Sequence, residues 1–209
     1  MTMLSGFLAL LHQYTGQEDL VVGSVIANRE RAEVEKLIGF LANTLVLRVD
    51  IAGEPTFREL VQRVRETCLQ AYANQLPPEK LQRSGERQPL YEVWFQMESR
   101  RRQTLHLPGL EWAEVEQTRS NNRRIPTRFE LSLVLHEAED GIIGDFEYDS
   151  ELFSNKIISQ MAEDYLAILD SMIKLPDARI AELALAGQQE TNELTGAFAA
   201  SPASLASQG

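Results

Sequence analysis

The stretch from Phe129 to Tyr148 constrains the fold most. Phe129, Leu131, Leu133 and Leu135 fall at every second position, Ile142, Gly144, Phe146 and Tyr148 do the same, and Glu139-Asp140-Gly141 stands between them. A period of two on either side of an Asp-Gly pair reads as a β-hairpin with one apolar face and its turn at Asp140-Gly141. A two-stranded ribbon is marginal in water, so that face requires further strands and a covering layer.

Three stretches with helical spacing can supply the cover. Met3, Leu4, Phe7, Leu8 and Leu11 make an amphipathic stripe that Gly16 is placed to end. Thr56-Phe57-Arg58-Glu59 fits a capping box, opening a helix whose apolar face runs Phe57, Leu60, Val61, Val64, Cys68, Leu69 and Tyr72 and which must stop before Pro77-Pro78. After Ser154-Asn155, the residues Ile158, Met161, Tyr165, Ile168, Leu169 and Met172 trace a long helix that Pro176 ends.

Further strands are expected at 20–26, at 45–49 where Leu45, Leu47 and Val49 alternate before the turn Gly53-Glu54-Pro55, at 90–97 with Trp94 and Phe95 on opposite faces, and at 110–115. Between the first two lie the polar loop Ala27-Asn28-Arg29-Glu30-Arg31 and a short helix through Val34, Leu37 and Ile38 ending at Gly39. The class is mixed α/β, with residues 1–186 as one unit and 187–209, poor in large apolar residues, as a linker or disordered tail. The first helix starts almost at residue 1 without a capping residue before it, as in a domain entered partway through.

Composition narrows the partners. A net charge of −11 disfavours nucleic acid and anionic membranes, a single cysteine forms no internal disulfide, and no apolar run reaches the roughly 18 residues of a membrane span. No Lys or Arg precedes the apolar run at Phe7, so it is not read as a signal peptide, and a cytoplasmic protein is expected.

No complete active site is visible. His12, His106 and His136 are isolated, so no metal site is expected, and His136 falls on the polar phase of the hairpin, where a solvated role fits. Gly-x-Ser-x-Gly, Gly-x-x-x-x-Gly-Lys and Gly-x-Gly-x-x-Gly are all absent, so no bound nucleotide cofactor is expected. Cys68 lies on a buried stripe and reads as an inert core thiol. Arg100-Arg101-Arg102, and Arg123-Arg124 with Arg128, are either solvated loop charge or an anion or partner site.

Several stretches resemble the second half of a condensation domain from a nonribosomal peptide synthetase. The run from Leu8 through Gln13-Tyr14-Thr15-Gly16 to Gly23-Ser24 and Ala27-Asn28-Arg29 is similar to the family's helix, strand and loop, and Ile38-Gly39-Phe40-Leu41-Ala42-Asn43-Thr44 resembles its Ile-Gly-x-Phe-x-Asn-Thr motif. Pro55-Thr56-Phe57, Pro89-Leu90-Tyr91, Leu107-Pro108-Gly109, Arg128-Phe129-Glu130 and Tyr148-Asp149-Ser150 keep the family's order. Two departures stand out: Asn74-Gln75-Leu76-Pro77-Pro78-Glu79-Lys80-Leu81 is shorter than the family's segment and carries Pro78 where Phe is usual, and 82–88 is compressed.

The resemblance implies one chloramphenicol acetyltransferase-like lobe, a mixed β-sheet covered by helices in an α+β sandwich. It implies amide-bond formation between thioesters on the 4'-phosphopantetheine arms of peptidyl carrier proteins, with no cofactor bound directly and an adenylation domain adjacent. The family's catalytic His-His-x-x-x-Asp-Gly motif belongs to the first lobe and does not occur in this sequence, so no catalytic residue is assigned and the partner expected is that missing N-terminal lobe. The chain alone is then expected to be inactive, with an exposed apolar face that favours self-association. For the substrate tunnel the resemblance points to Ser24, Asn28, Asn43 and Thr44. Asn43 and Thr44 have a second reading, satisfying buried backbone groups near a strand start. Two other functions stay open: a non-catalytic relic that binds a carrier protein or partner, and an acyltransferase completed by oligomerisation.

Overall fold

The structure, a computed structural model, describes residues 1–29, 32–35, 37–75, 90–98, 129–138 and 141–182. The expected strand at 110–115, His106, both arginine clusters, the compressed stretch 82–88 and the tail 187–209 lie outside the described residues. The elements in chain order are α1 (Thr2–Thr15), β1 (Asp19–Ile26), α2 (Ala32–Glu35), β2 (Asn43–Asp50), α3 (Phe57–Ala73), β3 (Val93–Glu98), β4 (Leu131–Ala138), β5 (Gly141–Tyr148) and α4 (Asn155–Lys174), followed by a short 3-10 turn at Ile180–Glu182.

The strands form one mixed sheet in the order β2-β1-β3-β4-β5. β1, β3 and β4 are mutually parallel, and β2 and β5 flank them antiparallel. The alternation read from the sequence sets the faces. Leu45, Leu47 and Val49 sit opposite Ser24, Val22 and Leu20, and Leu131, Leu133 and Leu135 sit opposite Tyr148, Phe146 and Gly144, all on the face that the helices cover. The hairpin ladder runs as far as Ala138 opposite Gly141, so Gly141 is a ladder residue rather than part of the turn; positions 139 and 140 lie outside the described residues.

Helix α1 is not the one-sided stripe its spacing predicts. Every residue from Leu4 to Leu11 is buried, because the helix lies between the sheet and α4. Phe7 meets Phe95 of β3 and Phe146 of β5 at ring-centroid separations of 6.0 and 6.3 Å. On the other side a Cβ at Gly6 would lie 2.8 Å from Leu169 and 3.3 Å from Tyr165, so the absent side chain sets how closely α4 approaches. Gly16 ends α1 in the left-handed conformation at φ 67°, its N–H donating to the His12 carbonyl.

The capping box of α3 is complete: the Glu59 amide donates to the Thr56 hydroxyl, and the Thr56 amide donates to the Glu59 carboxylate at 2.8 Å. Hydrogen bonding to Thr56 holds the Glu59 carboxyl below its usual range. The buried stripe is shorter than expected, ending at Cys68, while Leu69 and Tyr72 are exposed. Burial pushes the Cys68 thiol up, away from the reactive thiolate. In α4 the Ser154 hydroxyl accepts from the Ile157 amide, and the helix runs on to Lys174, just before Pro176.

Two polar features tie the layers together. Asp164 of α4 is 1% exposed and accepts from the Tyr14 hydroxyl at 2.5 Å and from Gln160 at 3.1 Å. At the other end of α1, the Tyr165 hydroxyl donates to the Met3 carbonyl at 3.0 Å. Where β3 and β4 begin and β5 ends, Glu92, Glu130 and Asp149 converge through backbone bonds. Burial first, then the charges of Glu92 and Asp149, raise the Glu130 carboxyl above its usual range.

Two predictions follow from these contacts. Tyr14→Phe leaves the buried Asp164 short of a donor and is expected to cost about 1–3 kcal/mol in a urea titration; an unchanged midpoint would mean Asp164 finds other compensation. Because the folded state raises the Glu130 pKa, its ionisation weakens the fold as pH rises above the ordinary value of 4.5. Glu130→Gln should therefore raise the urea midpoint at about pH 7 and leave it nearly unchanged at about pH 3.5. Equal effects at both pH values would contradict this.

Candidate functional site

The four residues singled out from the sequence gather at one end of the sheet, where β1 ends and β2 begins. Ser24, Val25 and Ile26 pair with Leu45, Thr44 and Asn43 respectively. Ser24 and Asn43 therefore share the helix-covered face, both half-buried, and Thr44 stands on the opposite face, also half-buried. Asn28 follows beyond the strand, exposed and left-handed at φ 53°, a conformation asparagine tolerates better than most residues. β2 starts at Asn43, two residues before the expected alternation, so Asn43 and Thr44 belong to the strand itself.

Helix α3 runs back along β2. Arg63, near its start, donates to the carbonyls of Asp50 and Ala52, and Gln75, just past its end, accepts from the Asn43 amide at 3.3 Å. Asn43 thus bonds a side chain, which orients its carboxamide at the sheet end. These four residues offer hydroxyl and amide groups, which can position and hydrogen-bond a substrate but do not take up a proton near neutral pH.

Nothing in the spacing points to the role of Arg29. Its guanidinium donates to four carbonyls of the following loop: Val34 at 3.0 Å, Glu35 at 3.3 Å, Leu37 at 2.7 Å and Gly39 at 3.0 Å. A planar group with five donors can close such a loop around itself, where a lysine ammonium would offer three donors from one point. The same bonds accompany a difference in the short helix. Spacing predicts it through Val34, Leu37 and Ile38, but it spans only Ala32–Glu35; beyond it the Leu37 amide donates to the Val34 carbonyl in a tighter turn, and Arg29 bonds the carbonyls of Glu35, Leu37 and Gly39. Leu37 and Ile38 lie outside it and are exposed.

On the face of the sheet away from the described helices, polar side chains line up toward the same sheet end. The Trp94 indole N–H donates to Gln96 at 3.2 Å, the Gln96 amide donates to Glu98 at 2.7 Å, and the other Glu98 oxygen lies 3.2 Å from His136 Nδ1. His136 is thus paired across β3 and β4 rather than simply solvated. At the opposite end of this face Trp94 stacks on Phe129 with centroids 4.7 Å apart, and Tyr91 packs against both. A Cβ at Gly23 would collide with the Tyr91 ring, so glycine is required beneath it. At the end of α1 the His12 Nδ1–H donates to the Gln17 carbonyl at 2.7 Å. Among the described residues, no group of three or more His, Cys, Asp or Glu could hold a metal ion, and no helix is long and apolar enough to cross a membrane.

The family model described as condensation domain matches residues 1–195. The chain is 40% identical over 201 residues to a linear gramicidin synthase of Brevibacillus parabrevis, an alignment covering 93% of this chain and 4% of that protein. It is 36% identical over 201 residues to phosphinothricin tripeptide synthetase PhsC of Streptomyces viridochromogenes, covering 93% of this chain and 18% of that one. The chain therefore spans only a small part of the curated relatives it matches. Among solved structures, the X-domain from teicoplanin biosynthesis superposes with a TM-score of 0.71 at 27% identity, over 88% of this chain and 43% of that one. The four-domain nonribosomal peptide synthetase holo-AB3403 superposes with a TM-score of 0.71 over 90% of this chain and 16% of that one, a likeness of fold at 23% identity.

The Arg29 arrangement makes a direct prediction. Arg29→Ala should let chymotrypsin cut after Phe40 at least about tenfold faster in limited proteolysis, with Arg29→Lys intermediate, since local opening governs such cleavage. Cleavage at the wild-type rate in both variants would show that the loop holds its shape without the guanidinium.

Proposed function

The chain belongs to the condensation-domain family, and from that we propose that residues 1–186 act as the second lobe of a nonribosomal peptide synthetase condensation domain, with 187–209 as the linker that follows. The observation that carries this reading is the family match over residues 1–195, nearly the whole chain. In the reaction proposed, the amine of an acceptor aminoacyl group attacks the thioester carbonyl of a donor, forming the C–N bond and breaking the C–S bond. The departing sulfur is the donor's phosphopantetheine thiolate, and the proton lost by the amine neutralises it. Both substrates arrive on the 4'-phosphopantetheine arms of peptidyl carrier proteins, and an adenylation domain loads the carrier, so the lobe itself holds no cofactor.

In this scheme the chain contributes position rather than proton transfer. Ser24, Asn28 and Asn43 give neutral hydrogen-bonding groups to one side of the tunnel, with Asn43 oriented by Gln75, and Thr44 adds a hydroxyl on the other face of the same sheet end. Holding the two arms within reach of each other is itself a large rate factor. The proton acceptor is the second histidine of the His-His-x-x-x-Asp-Gly motif on the first lobe, a motif this sequence does not contain.

A second reading is that the lobe binds a partner without catalysis. It draws support from one matched structure, a complex of the X-domain and OxyB from teicoplanin biosynthesis, at 26% identity and a TM-score of 0.69.

Reconstitution separates the two readings. The chain, a first lobe carrying the histidine motif and two loaded carrier proteins are combined, and the carrier-bound product is weighed by mass spectrometry. Amide product that requires both lobes, and that disappears when the second motif histidine is replaced by alanine, is expected. Asn43→Ala should lower the rate by about tenfold to a hundredfold, the range associated with a lost positioning contact. Carrier or partner binding without any product would favour the second reading.

A further inference from the structure

Leu37, Ile38 and Phe40 are 53%, 105% and 93% exposed, so two large apolar side chains on one short loop touch almost nothing among the described residues. Single exposed apolar residues are ordinary, but a cluster on a loop of fixed shape is not. The shape is fixed because Arg29 binds the carbonyls of Leu37 and Gly39, on either side of Ile38, together with those of Val34 and Glu35. A loop free to relax would fold these side chains back onto the domain. This one presents them outward, and a pre-ordered apolar projection loses little entropy when it is covered.

We infer that residues 37–40 are the apolar anchor by which this lobe seats on the first lobe of its condensation domain. The inference rests on the proposed function and names the contact that reading needs. The occupant follows from position and length. The loop joins the end of β1 to the start of β2, the sheet end that also carries Ser24, Asn28, Asn43 and Thr44, so whatever covers it closes over the candidate tunnel residues. The X-domain and the first condensation domain of the CDA synthetase are matched over 43% and 41% of their solved chains, so in each more than half of the chain lies beyond the part this fold accounts for. An aromatic or aliphatic side chain that fills a pocket on its partner is a common interface anchor.

The test measures association of the full chain with the first lobe of the condensation domain that it matches in the Brevibacillus parabrevis linear gramicidin synthase, by sedimentation velocity. That synthase's own second lobe serves as the positive control. The double variant Ile38→Asp with Phe40→Ser is compared with wild type, and Leu166→Asp, 66% exposed on α4, controls for added surface charge. Since all three side chains are exposed, urea midpoints should match wild type. The inference expects the double variant to bind at least about thirtyfold more weakly and Leu166→Asp to bind as wild type does. If wild type and the double variant bind alike, the anchor is wrong and the proposed function stands. If neither binds while the control pair does, the proposed function falls and the inference with it. Wild-type self-association abolished by the double variant, without lobe binding, would make the occupant a second copy and overturn the inference.

Discussion

The packing of α1 between the sheet and α4 is the contact on which the rest of the structure depends. Phe7 packs across the sheet against Phe95 of β3 and Phe146 of β5, and the bare Cα of Gly6 lets α4 close against the opposite side. With residues Leu4 to Leu11 all buried, this helix transmits the position of α4 to the sheet and leaves no room for a one-sided arrangement. The buried Asp164 carboxylate, held by Tyr14 and Gln160, fixes the crossing of the two helices, because leaving it without donors would be expensive. Among the described residues, α1, α3 and α4 thus lie on one face of the sheet, and the β1–β2 connection stands at one end of it.

Much of this architecture was legible in residue spacing. The alternation of Leu45, Leu47 and Val49 named the buried face of β2 without error, and the Thr56 and Glu59 pair marked the start of α3 to the residue. Short-range rules suffice there because each feature is settled by its nearest neighbours. The failures share a different cause. α1 is buried all round and α3 loses its apolar stripe after Cys68, and both outcomes depend on which neighbour lies alongside, which periodicity cannot report. The helix expected through Ile38 spans only Ala32–Glu35, and a side chain six residues before Glu35 bonds its carbonyl and those of Leu37 and Gly39. The signal for that was a single arginine in a polar loop, indistinguishable in sequence from solvated charge.

The candidate site was legible only through resemblance. Ser24, Asn28, Asn43 and Thr44 come from two separated stretches, and it is the antiparallel register of β1 and β2 that brings them to one sheet end. Spacing alone gave no reason to prefer these small polar residues over many others. Their chemistry explains why: hydroxyl and carboxamide groups are neutral donors and acceptors that occur throughout a sequence, and no spacing marks these four out. Arg29 deepens the point, since it acts on a loop rather than on a substrate and yet determines what that sheet end presents.

The central claim, that this fold is one lobe of a synthetase condensation domain, is tested most directly by the intact mass of the native polypeptide that contains it, captured from the producing organism. The account predicts a mass many times the 23.6 kDa of this chain, with the His-His-x-x-x-Asp-Gly lobe in the same polypeptide. A mass of 23.6 kDa, with no first lobe recovered alongside it, would contradict the claim.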